Sequence, residues 1–156
     1  MMKKGGFRVH FCMRMNGLIS PGSVSRFLKS IGEWAEGRND IDCVLLIGSY
    51  ARGEQTENSD IDLMIVTENA DLYLENTTWV SEFGNPHSME QEDWGAVQSV
   101  RVRYTDSKEI EFGISFPAWL NDPLPATTAQ VLEKGYEVIF KNSRIRLPEL
   151  DTFSME

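Results

Sequence analysis

The stretch IGSYARGEQTENSDIDLMIV, residues 47–66, decides the fold of this chain. It joins two apolar runs, residues 42–47 and residues 60–66, and the first is continuous enough to indicate a strand buried on both faces of a sheet. A glycine and a serine follow that run. A glycine lets the backbone approach a phosphate closely, and a serine hydroxyl can donate a hydrogen bond to it. If a helix begins at Ser49, its free amides also favour an anion. The pattern therefore predicts two core strands joined by a turn that can hold a phosphate.

The second apolar run opens with two carboxylates, Asp60 and Asp62. Because side chains alternate between the faces of a strand, residues two apart point to the same side. The apolar residues of this run, Ile61, Leu63 and Ile65, then cover the opposite face inside the core. Two adjacent carboxylates repel each other unless a cation lies between them, and Mg²⁺ prefers hard oxygen ligands beside a phosphate. The spacing therefore predicts a magnesium site next to the turn.

A third carboxylate is expected on a later strand, residues 109–116, in which apolar and polar residues alternate. Glu109 and Glu111 share its polar face, so either can reach the metal site if this strand lies beside residues 60–66. We prefer Glu111, because Glu109 stands next to the expected hairpin turn, where a solvated carboxylate is the ordinary outcome. The sequence alone leaves the choice between the two open.

The remaining elements follow from hydrophobic periodicity and from turn residues. In chain order we expect a helix over 20–36, strands over 42–47 and 60–66, a helix or loop over 70–83, a loop over 84–95, a hairpin of strands 98–105 and 109–116, a short helix after Pro125 and a last strand over 136–140. This order predicts an α/β (α+β) fold, in which one mixed β-sheet is flanked by helices within a single domain. Cys43 is then a small core side chain and not a nucleophile.

Composition and charge narrow the class of protein. The chain has 156 residues, a formal charge of −9, 41% hydrophobic and 10% aromatic residues, which is typical of an ordered globular domain. The longest apolar run is too short to cross a bilayer, and the charged N-terminus lacks the apolar segment of a signal peptide. Two cysteines, and two histidines without ligand spacing, disfavour a disulfide framework and a zinc site. We therefore expect a cytoplasmic protein that does not bind membranes. The acidic charge of the chain also disfavours binding to nucleic acid.

The quoted residues resemble a known family. GSYARGEQTENSDIDLMIV is similar to the motif of the nucleotidyltransferase superfamily that includes DNA polymerase beta, most closely to that of its small bacterial members. The family pattern is Gly-Ser, a short helical turn, and Asp-x-Asp after about ten residues. Gly48-Ser49 stands at that distance from the pair of aspartates. The third family carboxylate lies on a later strand, where Glu111 fits. The resemblance therefore implies a nucleotidyltransferase (polymerase beta palm-like) fold.

The resemblance also implies a two-metal mechanism and a role for each residue. Asp60 and Asp62 would bind two Mg²⁺ ions, and Glu111 would hold the second ion and help to deprotonate the acceptor hydroxyl. Gly48 and Ser49 would hold the β- and γ-phosphates of a nucleoside triphosphate, for which ATP is the expected substrate. The acceptor oxygen would attack the α-phosphorus in line, so that a nucleoside monophosphate is transferred and pyrophosphate leaves.

The limits of the domain follow from how far the resemblance extends, which is from residue 20 to about residue 140. We expect residues 1–15 to be a tail, either disordered or ahead of the true start, residues 16–141 to be the catalytic domain, and residues 142–156 to be a C-terminal tail. Larger relatives add a helical domain that holds the acceptor, and little follows Phe140 here. We therefore expect a second copy of the chain or a partner protein to complete the acceptor site.

Three classes of function are compatible with these patterns. The first is an enzyme that transfers AMP to a hydroxyl of an aminoglycoside-like small molecule or, resembling the nucleotidyltransferase halves of toxin–antitoxin pairs, of a partner protein. The second is a nucleotide-binding or regulatory module without turnover, which the presence of both aspartates disfavours. The third is an RNA-tailing polymerase, which needs a basic track for nucleic acid. Eleven Asp or Glu and no Lys or Arg lie between Glu54 and Val100, which disfavours the third class and would attract a cationic acceptor.

Several other side chains have two interpretations. Arg52 either touches a phosphate or is solvated on the short helix, and the acidic span can equally be an ordinary solvated surface. Arg101 and Arg103 share one face of a strand, where they either meet a triphosphate or pair with the glutamates across the hairpin, and we favour pairing for at least one. His87 is more readily a surface residue than a catalytic one. The tryptophans that could stack on a base, but that we expect in the core or in loop packing, are Trp79, Trp94 and Trp119.

Overall fold

The computed structural model describes residues 21–147, so the expected N-terminal tail and residues 148–156 lie outside the described part of the chain. The helices are α1 (Pro21–Glu36), α2 (Gly48–Arg52), α3 (Ala70–Glu75) and α4 (Ala126–Glu133), with a first 3₁₀ turn at Thr78–Phe83 and a second at Pro117–Leu120. The strands are β1 (Ile41–Ile47), β2 (Ile61–Thr67), β3 (Pro86–Asp93), β4 (Gln98–Tyr104), β5 (Glu109–Ser115) and β6 (Glu137–Lys141). Within residues 21–147, no helix is both long enough and apolar enough to span a bilayer.

The strands form one mixed sheet in the order β3-β4-β5-β2-β1-β6. β2 and β5 are parallel, and every other neighbouring pair is antiparallel. A parallel pair needs a long crossover, and here α3, the first 3₁₀ turn and the β3–β4 hairpin supply it. β2 therefore lies in the middle of the sheet, between β1 and β5.

The two faces of the sheet are covered by different helices. α1, α3 and the first 3₁₀ turn pack on one face, where Ile61, Leu63 and Ile65 of β2 are buried in the larger core. α4 and the second 3₁₀ turn cover part of the opposite face, where Met64 and Val66 are buried in a smaller core. The alternation along β2 thus places its apolar side chains in two cores, as expected for a central strand.

The predicted fold class is confirmed, because the described chain forms one mixed sheet flanked by helices. The long helix and the strands predicted from periodicity begin and end within one residue of the observed limits. The region left open between helix and loop contains α3 and the first 3₁₀ turn. Cys43 is fully buried, and burial raises the pKa of its thiol, so it is the core side chain that was predicted.

One prediction is wrong, because residues 84–95 are not a loop throughout. Pro86–Asp93 form β3, which pairs with β4 at the edge of the sheet and carries His87. Most side chains of β3 are exposed, so the strand has no apolar face and lacks the alternation by which a strand is recognised in sequence. Charged residues suit such an open edge, since they discourage pairing with another chain.

The packed chain continues beyond β6. Asn142 is buried and donates a hydrogen bond to the backbone carbonyl of Ile41, and Arg144 forms an ion pair with Asp42 at 2.9 Å. Leu147 is packed against the smaller core. The segment after β6 therefore lies against the domain, while the N-terminal tail and the domain limits stay predictions.

The central position of β2 can be tested by cavity formation. Ile65 is fully buried in the larger core, so we expect Ile65→Ala to lower the free energy of unfolding by about 3 kcal/mol. For a chain of this size the melting temperature should fall by about 6–12 °C, measured by circular dichroism. Leu72 on α3 is 59% exposed, and Leu72→Ala should change the free energy of unfolding by no more than about 0.5 kcal/mol. Equal losses in the two variants would contradict the assignment of β2 to the centre of the sheet.

Candidate active site

The turn after β1 is shaped by a glycine. Gly48 has a φ of 77°, a left-handed conformation that favours glycine, and it begins the short helix α2. A β-carbon at this position would collide with the carboxylate of Asp62 on the neighbouring strand. Ser49 follows as the second residue of α2. The turn predicted to hold a phosphate therefore lies directly against a carboxylate of the predicted metal site.

Three carboxylates meet on the face of the sheet that α4 partly covers. Asp62 on β2 and Glu111 on β5 are side by side, because the parallel register pairs them. Asp60 directly precedes β2 and turns to the same side. One oxygen from each residue lies within 4.8 Å of the other two, and all three side chains are half-buried. The structure thus brings together Asp60, Asp62 and Glu111, which we call the carboxylate triad.

Glu109, the other candidate for the third carboxylate, lies outside the triad. It accepts hydrogen bonds from Arg103 at 2.8 Å and from Arg101 at 3.2 Å. The bond from Arg103 lowers the pKa of Glu109, partly against the effect of burial, and Arg101 lowers it further. The two glutamates on the polar face of β5 therefore have different surroundings, with Glu111 in the triad and Glu109 against the arginines.

Arg101 on β4 lies at the centre of this group of acids. Its Nη1 donates to Asp60 Oδ2 at 2.6 Å, and its Nη2 donates to Glu111 Oε1 at 3.1 Å. The guanidinium is also 3.2 Å from a carboxylate oxygen of Glu109 and 3.5 Å from one of Glu92. Partial burial alone would lower its pKa, but the surrounding carboxylates raise the pKa of Arg101 above its ordinary value. One organic cation therefore neutralises part of the charge of four carboxylates.

A buried serine fixes the orientation of Glu111. Ser99 on β4 donates to Glu111 Oε2 at 2.9 Å and accepts a hydrogen bond from Trp94 Nε1 at 3.2 Å. Because Arg101 holds Oε1, both oxygens of the carboxylate have protein partners. Sequence reasoning missed Ser99 and the central place of Arg101. The signal that could have found them is their alternation along β4, which puts both on one face beside β5.

Asp62 is the member of the triad with the most perturbed titration. Burial, followed by the negative charges of Asp60 and Glu111, raises the pKa of its carboxyl to about 7. The positive charge of Arg101 acts in the opposite direction but does not cancel these effects. A site with this excess of negative charge and three convergent carboxylate oxygens fits Mg²⁺, which is small, divalent and selective for oxygen ligands.

A cavity of about 350 Å³ lies beside the triad. Asp62 and Glu111 contribute to its lining, and most of the remaining lining is apolar. Trp94, which is 63% exposed, and Val97 belong to that apolar part, together with Val131 of α4. A volume of this size, with a few polar groups on an otherwise apolar wall, is typical of a small-molecule site.

The three arginines considered in the sequence form ion pairs with acidic side chains. Arg52 forms an ion pair at 2.9 Å with the exposed Glu54. The pairing across the hairpin that was expected for at least one arginine is confirmed for both Arg101 and Arg103. The buried tryptophans are Trp79 and Trp119.

The acidic span between residues 54 and 100 does not form one continuous wall. Asp71, Glu75 and Glu82 belong to α3 and the first 3₁₀ turn, which cover the face opposite the triad. Glu92 of β3 lies on the side of the triad, since it contacts Arg101. Any attraction of a cationic molecule to the site therefore comes from only part of the span.

The perturbed titration of Asp62 predicts a pH-dependent effect on stability. A carboxyl whose pKa is about 7 when folded stabilises the fold fully below its unfolded pKa and loses that contribution as the pH rises through 7. Asp62→Asn removes the charge, so in a chelating buffer its gain in melting temperature should grow from about pH 4 to about pH 7 and then level off at several degrees. Glu82→Gln, at an exposed position, should show no such trend. A gain for Asp62→Asn that is independent of pH would contradict the assignment.

Solved structures with a similar fold come from nucleotidyltransferases of several kinds. An aminoglycoside 6-adenyltransferase from Bacillus subtilis matches with a TM-score of 0.45 and 13% identity, over 67% of this chain and 35% of its own. The Cid1 poly(U) polymerase, with Mg 3'-dATP bound, matches with a TM-score of 0.46 and 14% identity, over 67% and 35%. A CCA-adding enzyme from Thermotoga maritima, complexed with tRNA, matches with a TM-score of 0.45 and 15% identity, over 73% and 25%. The chain thus spans about a third of the length of these proteins, or less.

The family assignment comes from the sequence of the domain itself. Residues 29–92 match the family model described as Polymerase beta, Nucleotidyltransferase. This range includes the Gly48 turn and both aspartates of the triad, and it ends before Glu111. No curated protein matches the chain. The resemblance found in the motif is confirmed over these residues, which match a polymerase beta-like nucleotidyltransferase domain.

Proposed function

We propose that this chain is a Mg²⁺-dependent nucleotidyltransferase that moves a nucleoside monophosphate to a hydroxyl and releases pyrophosphate, with ATP as the expected donor. The observation that carries the proposal is the contact between the Gly48 turn and the carboxylate triad. That contact places a backbone suited to phosphate beside three oxygen ligands suited to a divalent cation. The match of residues 29–92 to the nucleotidyltransferase family model supports a transferase reaction.

The triad would hold the metal, which stabilises negative charge on the attacking and leaving oxygens when it is bound. Gly48 and Ser49 would bind the β- and γ-phosphates through the backbone and the hydroxyl. Glu111 is held by Ser99 at one oxygen, so it has a fixed direction from which to accept the proton of the acceptor hydroxyl. Most of the rate enhancement would then come from positioning and electrostatics, without a covalent intermediate.

The acceptor would enter through the cavity. Asp62 and Glu111 line it together with Ile47, the residue before Gly48, so the cavity opens beside both the triad and the phosphate turn. A hydroxyl group bound in this cavity would lie close to the carboxylates that activate it.

A small molecule is the acceptor class that the cavity favours. Its volume suits a compact compound, its apolar wall around Trp94 and Val97 suits a ring or chain, and its carboxylates suit hydroxyl or ammonium groups. An aminoglycoside-like compound is therefore the first class to test. A partner protein is the second, because Trp94 and Met89 are exposed on or beside the open edge strand β3, where a protein could dock.

Nucleotide binding tests the first part of this proposal without knowledge of the acceptor. Saturating MgATP should stabilise the protein by about 2.7 kcal/mol at a concentration one hundred times its dissociation constant, which is a rise in melting temperature of about 5–10 °C. Asp60→Asn/Asp62→Asn should abolish the rise, measured against the variant's own ligand-free melting temperature. Asp71→Asn, on α3 at the opposite face, should retain it. A full MgATP response in the double variant would contradict the site.

The two glutamates of β5 form a matched pair for testing turnover. We expect Glu111→Gln to lower the transfer of labelled AMP by at least about 100-fold, because it removes a carboxylate of the triad. Glu109→Gln should stay within a few-fold of the wild type, since Glu109 lies outside the triad. The assay follows label from α-labelled ATP into a panel of amino sugars, other hydroxyl compounds and added protein. Equal losses in the two variants would contradict the assignment of Glu111.

A further inference from the structure

We propose that Arg101 is an internal counter-ion of the carboxylate triad, which weakens the binding of metal alone and is displaced when metal and nucleotide arrive together. The inference deepens the proposed function and rests on the triad being its metal site. It makes Arg101 a positioning residue, because the guanidinium acts through the carboxylates that it holds.

The contacts of Arg101 involve oxygens that a metal would use. Nη1 binds Asp60 Oδ2 at 2.6 Å, and Nη2 binds Glu111 Oε1 at 3.1 Å. The other oxygen of Glu111 accepts the hydrogen bond from Ser99. A cation that enters the triad must therefore compete with the guanidinium for at least two of the three carboxylates.

Asp62 is the carboxylate of the triad that Arg101 does not bind. Among residues 21–147 it has no ion pair with Arg101 or with another cationic side chain, so one carboxylate of the triad has no direct counter-charge there. A single guanidinium thus neutralises the triad incompletely, and a divalent ion would complete what Arg101 begins. The triad would therefore still attract a divalent ion when Arg101 holds two of its members.

Two carboxylates outside the triad provide a place for the displaced guanidinium. Glu109 is 3.2 Å from Nη1, and Glu92 is 3.5 Å from Nη2. Arg101 already contacts both, so it can leave Asp60 and Glu111 by side-chain rotation without losing every partner.

The ion pairs of Arg101 are partly exposed to solvent, which lowers the cost of breaking them. Arg101, Asp60 and Glu111 are 28%, 30% and 19% exposed, so solvent screens part of their attraction. A guanidinium that was fully buried among these acids would not yield to a metal ion. Partial exposure therefore fits a contact that opens during binding.

Arg103 offers a matched control on the same strand. It has the same charge and the same facing as Arg101, but its ion pair is with Glu109 and its side chain is 58% exposed. Arg103→Gln thus removes one positive charge close to the site without touching an oxygen of the triad. A general effect of net charge would appear in both variants, whereas the proposed effect appears in one.

The test measures Mn²⁺ alone, without nucleotide, by the loss of the electron paramagnetic resonance signal of the free ion. We expect Arg101→Gln to bind Mn²⁺ about tenfold more tightly than the wild type, because two ion pairs no longer compete. Arg101→Lys should restore weak binding at least in part, and Arg103→Gln should change the affinity by less than about twofold. Circular dichroism confirms that each variant is folded.

Three outcomes would overturn the inference. Arg101→Gln that binds Mn²⁺ no more tightly than the wild type shows that the guanidinium does not compete. A gain that persists when Asp60→Asn/Asp62→Asn are added shows that the extra ion lies elsewhere. If neither the wild type nor Arg101→Gln binds Mn²⁺, alone or with ATP, both the proposed function and this inference fail. If the wild type binds Mn²⁺ with ATP but Arg101→Gln shows no gain, only this inference fails.

Discussion

The parallel pairing of β2 with β5 is the contact on which the rest of the site depends. Its register sets Asp62 directly beside Glu111, although the two residues belong to separate parts of the chain. The next pairing, of β5 with β4, then sets Arg101 beside Glu111. A slip of one residue in either register would turn these side chains to the opposite face of the sheet. The chemistry of the site is therefore fixed by backbone pairing before any side-chain contact is made.

Like-charged carboxylates that lie close together repel each other, which costs free energy. Packing of β2 in the larger core opposes that repulsion. Ile61, Leu63 and Ile65 are buried on the face of β2 opposite the triad, so Asp62 stays beside Glu111 as long as β2 is packed in the core. Arg101 offsets part of the repulsion locally. The pKa of Asp62 is raised first by burial and then by the repulsion that remains. A domain that tolerates such repulsion for the sake of a binding site loses some stability relative to its optimum.

The fold class and the pair of aspartates could be predicted from local periodicity, whereas Glu111 also depended on the family resemblance and on the expected neighbourhood of two strands. Residues two apart on a strand share a face, which pairs Asp60 with Asp62 without reference to the rest of the fold. The choice of Glu111 over Glu109 rested on distance from the hairpin turn, and the structure separates the two residues in the same way. The central place of Arg101 could not be predicted, because it depends on strand order: β4 must lie beside β5, and β5 beside β2.

The strand that sequence reasoning missed contributes to the electrostatics of the site. The sequence of β3 predicts a loop, because polar and charged residues occupy both faces of the strand. The same polarity places Glu92 of β3 within 3.5 Å of Arg101. An edge strand with an apolar face would have been recognised by its alternation, but it would have placed no carboxylate there. The polarity that conceals β3 in the sequence thus gives the guanidinium a second partner outside the triad, in addition to Glu109.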